Sequence, residues 1–253
     1  VTTDAADGPV PTRARQRRER ERAAARAAIL SAARDLARRE GWDAVTMRRL
    51  ADEIEYSANF AYRYFTGRDD ILLALVRDGF ARLREAMAAA GRQPVPAPAD
   101  TASSAGEIAG ESAAETAVRR AGHAYLDFAL TEPDLYQLMY GLGGVRVPTT
   151  DTWDEGQAVG DVLSGLLAAA GDRQPGKHVL QLWATAHGLI ALRVVGRVEV
   201  DRAALHALLD DALTDCLARA LPAPATSRPA PATSRPAPTT SRPASRPAGR
   251  RQP

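Results

Sequence analysis

Asn59 and Arg63 lie four residues apart, one turn of a helix, with Tyr62 between them. An asparagine amide can pair with an adenine edge, and an arginine guanidinium with a guanine edge, each through two hydrogen bonds. Ala58, beside Asn59, can meet a base through its methyl group. Around them stand Thr46, Arg48, Tyr64 and Arg68, whose hydroxyls and guanidinium groups suit phosphate oxygens. Ser57 has a hydroxyl placed to cap a helix and is itself a candidate DNA contact. The chemistry these residue types offer is nucleic-acid recognition, with Ala58, Asn59 and Arg63 reading bases and Thr46, Arg48, Tyr62, Tyr64 and Arg68 gripping the backbone. Tyr64 has an alternative place in the core.

The stretch that must position them is Thr46 to Phe65. Met47, Leu50, Ala51 and Ile54 recur at helical spacing behind the N-cap Thr46. Glu55 and Tyr56 make a turn. Ser57 then starts a second helix in which Phe60, Ala61, Tyr64 and Phe65 can pack inward while Asn59, Tyr62 and Arg63 face out. Read from these residues alone, the pair is either a helix-turn-helix or an ordinary helical hairpin.

The flanking sequence favours the first. Residues 29–72 resemble the DNA-binding domain of the TetR family of bacterial regulators. The resemblance rests on Glu40-Gly41-Trp42, Val45-Thr46, Leu50-Ala51, Ser57, Tyr62-Arg63-Tyr64-Phe65 and Gly67-Arg68-Asp69-Asp70-Ile71-Leu72. Glu55, Asn59, Ala61 and Arg68 depart from the family's usual residues at those places. The resemblance implies that Tyr62, Tyr64 and Arg68 grip the DNA backbone. A second resemblance covers residues 112–217. Pro133 to Met139 and Trp183 to Gly188 are similar to a C-terminal domain of the same family, named for its Trp-His-Gly pattern.

Charge is distributed unevenly. Residues 13–68 carry +6, residues 69–221 carry −8 and residues 222–253 carry +6, within an overall +2. A basic head on an acidic body suits binding to a polyanion by one end. The expected organisation is a disordered basic arm over 1–22, a helix-turn-helix domain over 23–68, a helical effector-binding and dimerisation domain over 69–221, and a disordered tail over 222–253 built on variants of PATSRPA. The fold class is all-α, because helical periodicity dominates and few segments alternate with period two.

In the body, a long helix is expected from Arg68 to Ala90, a loop over 91–110, and helices near 112–130, 135–142, 153–170, 176–195 and from Asp201 onward. The last two are apolar enough to pair with a second copy, so a homodimer built on them is expected. Phe80, Tyr125, Phe128, Tyr136, Met139, Tyr140, Trp153, Trp183 and His187 are candidates to line a cavity for an unknown, mainly apolar effector; the alternative for each is plain core. His187 in particular fits an interior, hydrogen-bonded histidine.

Other functions find little support. There is no metal-ligand spacing of Cys and His, no phosphate-cradling glycine loop and no nucleophile elbow. The four histidines show no evident acid or nucleophile partner. No enzyme, cofactor or metal is therefore expected. Cys216 is single and sits in a helical apolar pattern, as a buried thiol would. No apolar run approaches the about 20 residues of a membrane span, and no secretory signal is evident, so a cytoplasmic, nucleoid-associated regulator is expected. It would bind a palindromic operator on double-stranded DNA. A DNA-organising dimer without an effector is the alternative.

Overall fold

The computed structural model describes residues 13–54, 58–94, 112–142 and 144–221. Among them the regular elements are helical. They are α1 (Arg13–Glu40), α2 (Met47–Glu53), α3 (Ala58–Tyr62), α4 (Arg68–Arg92), α5 (Ala113–Thr131), α6 (Pro133–Tyr140), α7 (Trp153–Ala169), α8 (Pro175–Val194) and α9 (Arg202–Ala220).

Local signals set most boundaries. Gly41 follows α1 at φ 83° and ψ 165°, a positive-φ region occupied essentially by glycine. The Thr46 hydroxyl accepts from the Arg49 amide at 3.2 Å and starts α2. At Ser112 a reciprocal capping box with Glu115 starts α5. Pro133 occupies the first position of α6, where its missing N–H costs nothing. Asp201 caps α9 by accepting from the Ala204 amide at 2.8 Å.

Two expectations need correction. Arg13 to Arg22, expected as part of a disordered arm, forms the first turns of α1. Arginine is a good helix former, and Arg15–Glu19 (3.0 Å) and Arg17–Glu21 (3.5 Å) are ion pairs at i,i+4 spacing. The loop expected from Gly91 begins later, because Gly91 and Arg92 complete α4; the rest of it, residues 95–111, lies outside the described residues. So do residues 1–12, the Glu55–Ser57 turn and the tail over 222–253.

In the head, Ile29, Ala33 and Leu36 of α1 pack with Val45, Leu50, Ala61 and Phe65 around a shared core, all at most 1 % exposed. Trp42 is buried in the same core. In the body, α4 packs chiefly on α5 and α7, α5 also meets α7 and α9, and α8 rests on α9 and α7. Gly79 permits α4 to press close to α6: a Cβ there would stand 2.6 Å from Met139 Sδ. Cys216 is buried in α9, and burial pushes its thiol up.

Candidate functional site

The outer surface of the head carries the expected reading groups. Thr46, Arg48, Asn59, Tyr62 and Arg63 are exposed, with Tyr62 at 54 %. Asn59 and Arg63 sit one turn apart on and just beyond α3, which is short at five residues. The chain then tightens: the Tyr64 amide bonds to Ala61 and the Phe65 amide also reaches Ala61, drawing Phe65 inward. Ala58 opens α3. Ser57 lies outside the described residues.

Two residues are placed otherwise than as simple phosphate grips. Tyr64 is half-buried, with its ring 5.1 Å from that of Phe60. Its carbonyl accepts from Arg26 of α1 at 2.6 Å, and the same guanidinium lies 4.2 Å from the centre of the Phe65 ring. Arg68 turns into the head. Its Nε–H donates to the Val45 carbonyl at 2.9 Å and another N–H donates to the Trp42 carbonyl at 3.0 Å. These bonds brace the start of α4 against the turn after α1. Residue spacing carries no signal for them, because their acceptors are main-chain atoms more than twenty residues away.

The body contains a cavity of about 610 Å³. Of the nine candidate residues, Phe80, Tyr125, Met139, Tyr140, Trp153 and Trp183 line it. Phe128, Tyr136 and His187 do not. Phe128, three residues beyond Tyr125, turns toward Arg82 at 5.8 Å. Tyr136 is fully buried behind the wall. His187 is an interior hydrogen-bonded histidine: Tyr136 Oη lies 2.7 Å from its Nδ1. Leucines and valines of α7, α8 and α9 make up much of the remaining wall, a contribution that single-residue inspection did not reveal.

The aromatic polar groups form a directed chain. Trp183 donates Nε1–H to the Tyr125 hydroxyl at 3.1 Å, and Tyr125 and Tyr136 share a bond of 2.7 Å. Burial lowers His187, so its neutral Nδ1 can accept. The consistent order runs from Trp183 through Tyr125 and Tyr136 to His187. Burial also raises the phenols of Tyr125, Tyr136 and Tyr140 well above their ordinary range, so all three remain uncharged.

The expectation that the histidines lack acid partners is overturned. His123 Nδ1 and His206 Nδ1 are 2.6 Å apart, and their Nε2 atoms meet Asp210 at 2.7 Å and Asp127 at 2.9 Å. This chain ties α5 to α9. His178 bonds Asp172 at 2.7 Å, both buried, at the corner between α7 and α8. Partners from distant helices cannot be read from spacing. Among the described residues no set of three or more His, Cys, Asp or Glu is arranged to hold a metal ion.

Head and body meet at one acid. Glu132, just before α6, takes hydrogen bonds from Arg34 and Arg38 of α1 and from Arg82 of α4, the last two at 2.8 and 2.5 Å. Burial alone would raise its pKa, but the bonds and charges of Arg34 and Arg82 outweigh this and hold it at about 2. Two residues on, the Asp134 carbonyl accepts the Trp42 indole N–H at 3.1 Å.

A helix pair with outward Asn, Tyr and Arg, joined through α4 to a helical body that holds an apolar cavity, defines the class of helix-turn-helix DNA-binding regulators. Residues 29–75 match the family model described as bacterial regulatory proteins, tetR family, and residues 118–217 match that of the tetracyclin repressor-like C-terminal domain. Together they span more than half of the chain, which belongs to the TetR family of transcriptional regulators. Members of the family bind DNA, typically as repressors, and typically dimerise.

Solved structures with the same fold include a protein of unknown function from Rhodococcus sp. RHA1, at 23 % identity and TM-score 0.62, covering 78 % of this chain and 96 % of that one. A bacterial regulatory protein in the tetR family from Rhodococcus RHA1 has 18 % identity and TM-score 0.52 over 78 % and 97 % of the two chains. A TetR family transcription regulator from Marinobacter aquaeolei VT8 has 16 % identity and TM-score 0.52 over 79 % and 97 %. No curated protein matches the chain. Among the described residues no helix is long and apolar enough to cross a membrane.

Proposed function

We propose that this regulator is a repressor that leaves a palindromic operator when a small, mainly apolar effector enters the cavity. The observation that carries this reading is the position of α6. Its C-terminal residues Met139 and Tyr140 line the cavity, while Glu132 and Asp134 at its other end hold α1, α4 and Trp42. Helix α4 spans the same two regions, with Arg68 in the head and Phe80 and Met87 at the cavity. An occupant that displaces Met139 or Phe80 moves elements on which the head is mounted.

Asn59 and Arg63 read bases, Ala58 offers a methyl contact, and Thr46, Arg48, Tyr62 and Tyr64 hold phosphates. The first turns of α1 add an arginine-rich strut along the DNA backbone. Arg68 contributes by holding the head in shape, beside any phosphate contact. The dimer forms through α8 and α9, where Leu180, Leu192, Val195 and Leu208 are exposed. Its two heads then meet half-sites about 34–36 Å apart or somewhat more. The protein works at the nucleoid, in the cytoplasm.

Effector and operator bind antagonistically in this scheme, and linkage requires the same factor in both directions. Titration of an identified effector with and without operator is expected to show weaker binding in the presence of DNA. An unchanged affinity would exclude the release mechanism. Steep salt dependence with no preferred sequence would instead favour a DNA-organising dimer.

A further inference from the structure

The cavity read above as the effector site also constrains what occupies it, and the present inference rests on that reading. Its interior is apolar, walled by Phe80, Met87, Met139, Val159, Leu163 and Leu213. Two of the aromatic polar groups that reach this wall, those of Trp183 and Tyr125, are already engaged. Trp183 bonds Tyr125, and Tyr125 bonds Tyr136, which lies behind the wall. A donor committed in this way has little left for a ligand, and an occupant gains in the interior chiefly by leaving water.

The rim is different. Two lining residues carry charge, Arg146 and Asp161. Asp161 accepts a hydrogen bond from Gln157 at 3.2 Å. Arg146, in the segment between α6 and α7, has no hydrogen bond or ion pair to another described residue. Its side chain runs beside Gly141, the residue that ends α6 in a left-handed conformation at φ 66°. A guanidinium with no internal acid, at the mouth of an apolar chamber, is a recognition group for an anion. Its planar fork matches a carboxylate through two parallel hydrogen bonds.

We propose that the cavity takes a monoanionic amphiphile, a carboxylate on an apolar chain, with the head on Arg146 and the chain in the interior. The volume of about 610 Å³ falls within the range of small-ligand sites. The sensed molecule is then an organic acid with a lipid-like body, and a neutral hydrocarbon of equal length is a poorer signal.

The test uses the full chain and three probes of one length: laurate, dodecanol and dodecyltrimethylammonium, each below its micelle concentration. Binding is read by calorimetry and by fluorescence of Trp153 and Trp183, which line the cavity. Laurate is expected to bind about tenfold more tightly than dodecanol, the modest factor suited to a solvent-exposed charge pair, and the cation more weakly than either. Arg146→Ala is expected to bring laurate to the level of dodecanol while dodecanol itself is unchanged, which also reports that the variant is folded. Equal affinities of laurate and dodecanol in the unaltered protein would overturn the assignment of an anion, as would a laurate preference that survives in Arg146→Ala. Failure of all three probes to bind would overturn the effector-site reading itself.

Discussion

Arg63 presents its guanidinium to solvent near the Tyr64 ring, at 5.9 Å, whereas Arg68, five residues on, bonds the carbonyls of Val45 and Trp42. Their alanine variants should therefore fail differently. Arg63→Ala is expected to lose about 1–3 kcal/mol of operator binding and to relax preference at one base position, with the melting temperature unchanged. Arg68→Ala is expected to lower head stability by about 1–3 kcal/mol, because it leaves two carbonyls short of partners. Selection from random duplexes and thermal melting of both variants separate the two effects; similar melting and similar base preferences would undo the distinction. Spacing alone placed Asn59 and Arg63 together on one exposed turn. It did not expose the inward turn of Arg68, which is fixed by tertiary approach.

At the level of elements, Glu132 joins α1, α4 and the start of α6. Its carboxyl is held at about 2 when folded, below the ordinary value of 4.5. The folded state thus favours the carboxylate, so this stabilisation is complete above the unfolded value and fades as pH falls from about 4.5 toward 2. Melting temperatures measured across that window should fall more steeply for the unaltered protein than for Glu132→Gln. At neutral pH the variant should be less stable by about 2 kcal/mol, a figure reduced for solvent screening. Parallel pH profiles would show that the joint does not depend on this charge. The elements themselves were largely legible, because Thr46, Ser112, Pro133, Asp201 and Gly41 act on their own neighbourhoods. The helical state of Arg13 to Arg22 was expected instead as disorder, although the Arg15–Glu19 and Arg17–Glu21 spacing that supports it is local. The contacts of Glu132 and the His123–His206 chain were not legible, since each depends on how helices far apart in sequence come to lie together.

For the whole molecule, the exposed apolar residues of α8 and α9 call for a partner surface. Leu192→Glu, at a position 45 % exposed, should leave the subunit folded and shift it from dimer to monomer in sedimentation. Operator affinity should fall with it, because two half-sites are then no longer held together. An unchanged dimer would move the interface elsewhere. Helix α6 has a consequence of another kind. With eight residues it is shorter than helices that persist alone in water. Its helicity is borrowed from contacts at both ends, the cavity at one and the head joint at the other. In the proposed release mechanism, sensing then becomes an order–disorder balance: a molecule that tightens or loosens one end of α6 sets how often the whole segment melts, and the grip on DNA follows the fraction of time that it is wound.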